Sequence, residues 1–159
     1  MGKVLSAFSN GFPGAIARSI DDVVIAMANR SEGEIAFGMP VALAPDGAGV
    51  VPFDGASHTA ADFVGITVRN PSKTPETYGA NAAAYASGEL ADVLVRGHIV
   101  VKSTAGVPAV GEPLCIVKAT GAFGAGTGDT VIPLTNARFS NTQDAPGTVE
   151  VVLTQRSLV

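Results

Sequence analysis

The segment Gly121-Ala-Phe-Gly-Ala-Gly-Thr-Gly128 is the most glycine-dense stretch of the chain and invites comparison with phosphate-binding loops. Such loops work because a helix starts inside the motif and turns its free amides toward the anion. Here Asp129 to Leu134 reads as a strand running to Pro133, and no Gly-Lys-Ser/Thr follows. The segment is therefore expected to be an inter-strand loop. His58 and His98 stand forty residues apart, with Asp62 and Asp92 as the carboxylates nearest to them in sequence. A metal centre needs three or four convergent ligands, so hydrogen-bonded or solvent-facing imidazoles are expected and no metal site is assigned. Cys115 is the sole cysteine, which removes disulfides and thiolate clusters, and its apolar run Leu114 to Val117 marks it as a small core residue. No Gly-x-Ser-x-Gly elbow exposes a serine. The acidic pairs Asp21-Asp22 and Glu32-x-Glu34 read as solvated turn residues, and no alternating Asp/Asn/Gly loop supplies oxygens for calcium. Asn29-Arg30-Ser31 matches a glycosylation acceptor by chance. With no Trp and two Tyr, a sugar-stacking surface is a weak prospect. No catalytic residue, cofactor or metal is assigned, and the chain is not expected to be an enzyme.

The elements that carry these residues follow a two-residue period. In Asp22 to Asn29 the residues Val23, Ile25 and Met27 fall on one side and Val24, Ala26 and Ala28 on the other, a strand with two weakly apolar faces. Ile35, Phe37, Met39, Val41 and Leu43 keep one parity, with Gly38 and Pro40 on the other suggesting a bulge or an edge. Further strands are expected at Val50 to Phe53, Phe63 to Arg69, Leu90 to Arg96, Ile99 to Lys102, Leu114 to Lys118, Thr130 to Leu134 and Val149 to Gln155, with Gly97 bending or bulging one long strand. Turn residues fill the gaps, as in Pro45-Asp46-Gly47 and Asp144 to Gly147. Ser57 to Asp62 and Asn81 to Ala86 offer at most one or two helical turns. The fold class expected is all-β, with many short antiparallel strands in a sandwich or barrel.

Length bounds the organisation. A chain of 159 residues has room for one domain, and 47% apolar against 15% charged residues supplies a core. Nineteen Gly and ten Pro mean frequent turns. A net charge of −4 with ten scattered Lys and Arg argues against a phosphate-neutralising surface, so neither DNA nor RNA is an expected partner. Met1 to Gly14 has neither the apolar run of a signal peptide nor that of a membrane span, and a cytoplasmically made, soluble product is expected. Residues 1–20 read as an extended arm, with Phe8, Phe12, Pro13 and Ile16 as contact residues toward a neighbouring subunit or another protein, ahead of a single β domain over residues 21–159.

The order of short motifs carries a resemblance. A glycine-containing start is followed by Asp22-Val23-Val24, Glu34-Ile35-Ala36-Phe37-Gly38-Met39-Pro40-Val41, Phe63-Val64-Gly65-Ile66 and Tyr85-Ala86-Ser87-Gly88-Glu89. Val93-Leu94-Val95-Arg96-Gly97-His98-Ile99-Val100-Val101 and Gly111-Glu112-Pro113-Leu114 complete the series. Together they resemble the structural cement, or capsid decoration, proteins of tailed bacteriophages over most of Asp22 to Lys118, more loosely beyond. The resemblance implies a small β-barrel or β-tulip-like domain, commonly a homotrimer, bound to the major capsid protein on the outer surface of the head after synthesis in the host cytoplasm. It carries no catalytic residues. The alternative left by the residues themselves is a non-catalytic bacterial β-module that binds a ligand or carbohydrate. The Ala82 to Ala84 run and the loop Gly121 to Gly128 have no counterpart in the family pattern.

Overall fold

The structure is a computed structural model that describes residues 9–73 and 84–154. Eleven strands and one 3₁₀ turn, Ala60–Asp62, make up its regular structure. The strands are β1 (Ile16–Ala28), β2 (Ile35–Ala36), β3 (Pro40–Leu43), β4 (Val50–Pro52), β5 (Phe63–Thr67), β6 (Ala84–Tyr85), β7 (Leu90–Lys102), β8 (Pro113–Val117), β9 (Phe123–Gly124), β10 (Val131–Phe139) and β11 (Thr148–Leu153). Nine of them form one antiparallel sheet in the order β4-β3-β5-β7-β11-β10-β8-β9, with β1 added on β7, and the sheet curls into a half-barrel. Strands β2 and β6 pair separately through Ile35↔Tyr85 and Ala36↔Ala84. The all-β expectation is met.

Strand β7 organises the sheet. It pairs with β1 from Ile16↔Ile99 to Ala28↔Leu90, with β5 through Ile66↔Leu94 and Thr67↔Val93, and with β11 from Thr148↔Lys102 to Leu153↔Gly97. Its apolar parity changes midway. Leu94 belongs to the same buried cluster as Ile99 and Val101, while Val93 and Val95 belong to another. Side chains alternate faces along a strand, so an even-numbered and two odd-numbered residues share a face only if the strand is irregular between them. Gly97 supplies the irregularity, with φ of 121°. The two segments expected from sequence are thus one strand with a kink, and β1 shifts register against it between Ile16 and Val24.

Two cores result. The larger contains Phe53, Phe63, Ile66, Leu114, Phe123 and Phe139. The smaller contains Ile35, Phe37, Val41, Val64, Tyr85 and Val93, with Ile25 and Met27 of β1 packed on it. Tyr85 is fully buried and donates its hydroxyl to the Val68 carbonyl at 2.7 Å. Asn29, also fully buried, ties three segments together. Its Nδ2 donates to the carbonyls of Gly33, Tyr85 and Ala86, and its Oδ1 accepts from the amide and hydroxyl of Ser31. The chance glycosylation motif is therefore a structural hub.

Several local expectations change. The apolar series from Ile35 to Leu43 breaks into β2 and β3 because Gly38 takes φ of 72° and reverses the chain between them. Ala84 and Tyr85, read as the end of a short helix, are strand β6, because burial of Tyr85 beside Phe37 outweighs the helical preference of alanine; Asn81 to Ala83 lie outside the described residues. Strand β9 sits inside the glycine-rich loop and pairs with Cys115 and Ile116 of β8, so no helix start faces an anion there.

Candidate functional site

Strand β1 begins at Ile16, inside the segment read as an arm, and the described residues ahead of it also lie on the domain. Ser9 and Asn10 are held by the turn between β10 and β11. Asp144 receives hydrogen bonds from the Asn10 amide at 2.8 Å, the Thr148 amide at 2.7 Å, the Thr148 hydroxyl at 2.6 Å and the Ser9 hydroxyl at 3.4 Å. The Asn10 side chain donates to the carbonyls of Thr142 and Thr148 and accepts from Asn141. Burial alone would raise the Asp144 pKa, but the bonds from Thr148, Asn10 and Ser9 outweigh it and hold the carboxyl below its ordinary value.

The next residues are fixed by backbone contact. Gly14 donates to the Val100 carbonyl at 2.8 Å and accepts from the Arg69 amide at 2.7 Å. A Cβ on Gly14 would lie 2.9 Å from the amide nitrogens of Arg69 and Gly38, so only glycine fits. Pro13 packs over Gly38, whose own Cβ would stand 2.8 Å from that of Pro13. The Phe12 ring lies 5.0 Å beneath the Arg69 guanidinium carbon, a cation–π contact, and is still 52% exposed. Ile16 pairs with Ile99 and is half-exposed, and Ile20 is fully exposed. Val23, Val24 and Leu90 extend the exposed apolar series along β1 and the start of β7. Of the four contact residues expected from sequence, Phe12, Pro13 and Ile16 are thus brought together on one segment, and Phe8 lies outside the described residues. Ile20, which stands exposed within Arg18-Ser19-Ile20-Asp21-Asp22, was not among the residues singled out from sequence.

Charges frame this strand. Arg96 meets Asp21 at 2.5 Å and Arg18 meets Glu150 at 2.9 Å. Asp21 and Asp22 lie within β1 rather than in a turn, because β1 continues through them to reach the far half of β7. Asp22 accepts from the His98 amide through Oδ1, while its Oδ2 is buried with no partner among the described residues.

The other residues singled out by type are structural. His58 accepts from the Asp54 amide through Nδ1 at 2.9 Å and stacks at a tilt on Phe53. Cys115 is buried, its thiol pushed up by that burial and directed at the carbonyls of Gly126 and Pro113. Among the described residues no group of three or more His, Cys, Asp or Glu side chains is placed to hold a metal ion.

Exposed apolar side chains thus stand on a segment that is bonded to the sheet and flanked by two ion pairs. Residues 3–154 match the family described as structural cement protein (E217 gp24/Pam3 gp6). The chain belongs to the phage structural cement protein family. Its fold is similar to a chain in the capsid of Myoviridae phage XM1, with a TM-score of 0.75, 19% identity and 96% of each chain covered. No curated protein matches it. The chain is therefore a capsid cement, or decoration, protein, a structural component of the virion.

Proposed function

We propose that this cement protein sits on the outer surface of the phage head, contacts the major capsid protein, and associates with its own copies as a homotrimer. In this reading its work is done by binding alone, with no catalytic step. The observation that carries the contact assignment is the exposed apolar series Phe12, Ile16, Ile20, Val23 and Val24 on a segment that the fold otherwise holds firmly. Burying an apolar side chain of this size contributes roughly 1.5 to 3 kcal/mol.

Cementing then follows from two general effects. A protein that binds only the assembled shell stabilises that shell by mass action. One that touches several subunits at once also gains avidity without any new kind of contact. The arm proposed for residues 1–20 contributes through Phe8 as well as through Phe12, Pro13 and Ile16. Since residues 9–20 are bonded into the sheet, point substitution tests the surface better than truncation.

The test is binding of Ile20→Ser and Phe12→Ala variants to heads lacking cement protein, read by sedimentation and gel densitometry. Ile20 touches solvent only, so its variant should fold normally and bind at least about tenfold more weakly, the equivalent of about 1.4 kcal/mol. Unchanged binding by both variants would place the capsid contact elsewhere on the domain.

A further inference from the structure

A groove of about 410 Å³ opens between the connection that follows β7 and the glycine-rich connection around β9, walled by Val107, Pro113, Ala125, Val131 and Pro133. Val107 is 85% exposed at its mouth and the neighbouring Val110 is 63% exposed. Glu112 is part of the lining, and among the described residues it takes part in no ion pair. Exposed Asp129 follows Gly128 of the groove wall, while the nearby cation, Arg138, donates to the Gly111 carbonyl. Apolar walls with an acidic edge fit an apolar segment that carries a cation.

Residues 1–8, Met-Gly-Lys-Val-Leu-Ser-Ala-Phe, have that composition, with Val4, Leu5 and Phe8 apolar and Lys3 as the one charge. Their root is fixed, because Ser9 and Asn10 are clasped by Asp144 on the β10–β11 turn. Eight extended residues span at most about 26 to 29 Å, close to the diameter of a small domain and enough to reach an adjoining copy.

We propose that the groove is the docking site for residues 1–8 of a second copy of this chain, with Val4 and Leu5 against the valine and proline walls and Lys3 facing Glu112. This rests on the self-association in the proposed function and gives it a contact. The arm and the groove are different parts of the chain, so an arm of one copy in the groove of the next is a heterologous contact. Repeated around a rotation axis it closes a ring in which each copy gives one arm and receives one.

The test uses the full chain with Leu5→Cys and Val107→Cys in a Cys115→Ala background, oxidised and separated under denaturing, non-reducing conditions. Chains linked to one another are expected, and the link should be absent from either single-cysteine variant. A link closed within one chain, or no link, overturns the proposal. A charge exchange provides an independent measurement should the cysteine variant fail to fold. Lys3→Glu should weaken self-association about tenfold at low salt, and adding Glu112→Lys should restore it. Loss without restoration also overturns the proposal. Wild-type binding to heads separates the two readings: if the chain decorates heads but forms no link, the groove assignment fails and the cement role stands.

Discussion

The Asp144 carboxylate accepts the backbone amide of Asn10 at 2.8 Å across 134 positions of sequence. The same carboxylate holds both hydrogen-bond donors of Thr148, so one side chain closes the β10–β11 turn and moors the start of the chain to it. Replacing Asp144 with Ala should cost about 2 kcal/mol, the usual worth of hydrogen bonds to a charged acceptor, and should expose residues 9–15 to proteolysis. Urea unfolding and limited digestion check both effects.

The same group sets an acid limit. The folded pKa of Asp144 lies below its ordinary 3.8, although burial pulls the other way. A depressed acid contributes stability that is fully present above its unfolded pKa and is lost as pH falls through the folded value. The melting temperature should therefore be flat near neutrality and drop below about pH 4, with Asp144→Asn losing part of that slope. Asp54 and Asp62 are also depressed, by hydrogen bonds from the Ala56 and Thr59 amides respectively, so the slope should diminish rather than vanish.

At the alkaline end the controlling group is Tyr85, whose phenol is pushed up to about 12, chiefly by burial. A raised pKa gives stability that is present below the unfolded value near 10 and is lost as pH rises toward 12. Tyr85→Phe should remove this alkaline loss while costing about 1 kcal/mol at pH 7, because the Val68 carbonyl loses its donor. Thermal melts from pH 8 to pH 12 would show the two curves converging, the numbers being roughly the range over which a tyrosine titrates.

Asn29 should be the least tolerant polar position. Its fully buried amide serves carbonyls of Gly33, Tyr85 and Ala86, all of which lose a donor in Asn29→Ala. The expected cost is about 3 kcal/mol or more, measured by urea midpoint with an unchanged slope.

Gly97→Ala tests the kink in β7. Its φ of 121° is hostile to a side chain, and the added Cβ would sit 2.0 Å from the Asp22 Oδ1 atom. Loss of about 3 kcal/mol is expected, and Asp22→Ala should recover the steric part of it.

Strand order within the chain was readable because short runs of Val, Ile and Phe marked buried segments, as in Phe63 to Thr67, buried throughout, and Val149 to Leu153, buried except at Val152. What stayed hidden was decided by tertiary context. Tyr85 is in a strand because Phe37 and the Val68 carbonyl wait for it, and nothing local to Ala84-Tyr85 says so. Phe12, Pro13 and Ile16 could be picked out as residues with no local core to join, but their placement depends on Gly14 fitting against Gly38 and Arg69, which are far along the chain. Ile20 was overlooked because one isoleucine among charged neighbours breaks no period.

Chain connectivity also dictates when the segment ahead of β1 and the first half of β1 become ordered on the sheet. Strand β7 lies far along the chain from the β1 residues it pairs with, Arg96 reaches Asp21 across 75 positions, and the clasp on Asn10 spans 134. Contacts that close such long loops carry an entropic cost that adjacent hairpins, such as β3 with β4, do not. The segment bearing Phe12, Ile16 and Ile20 therefore settles late, once β7 and β11 exist as a template. If this segment is the docking face proposed above, a newly synthesised chain has none until the rest of its sheet has closed, so folding itself screens which copies are fit to join a particle.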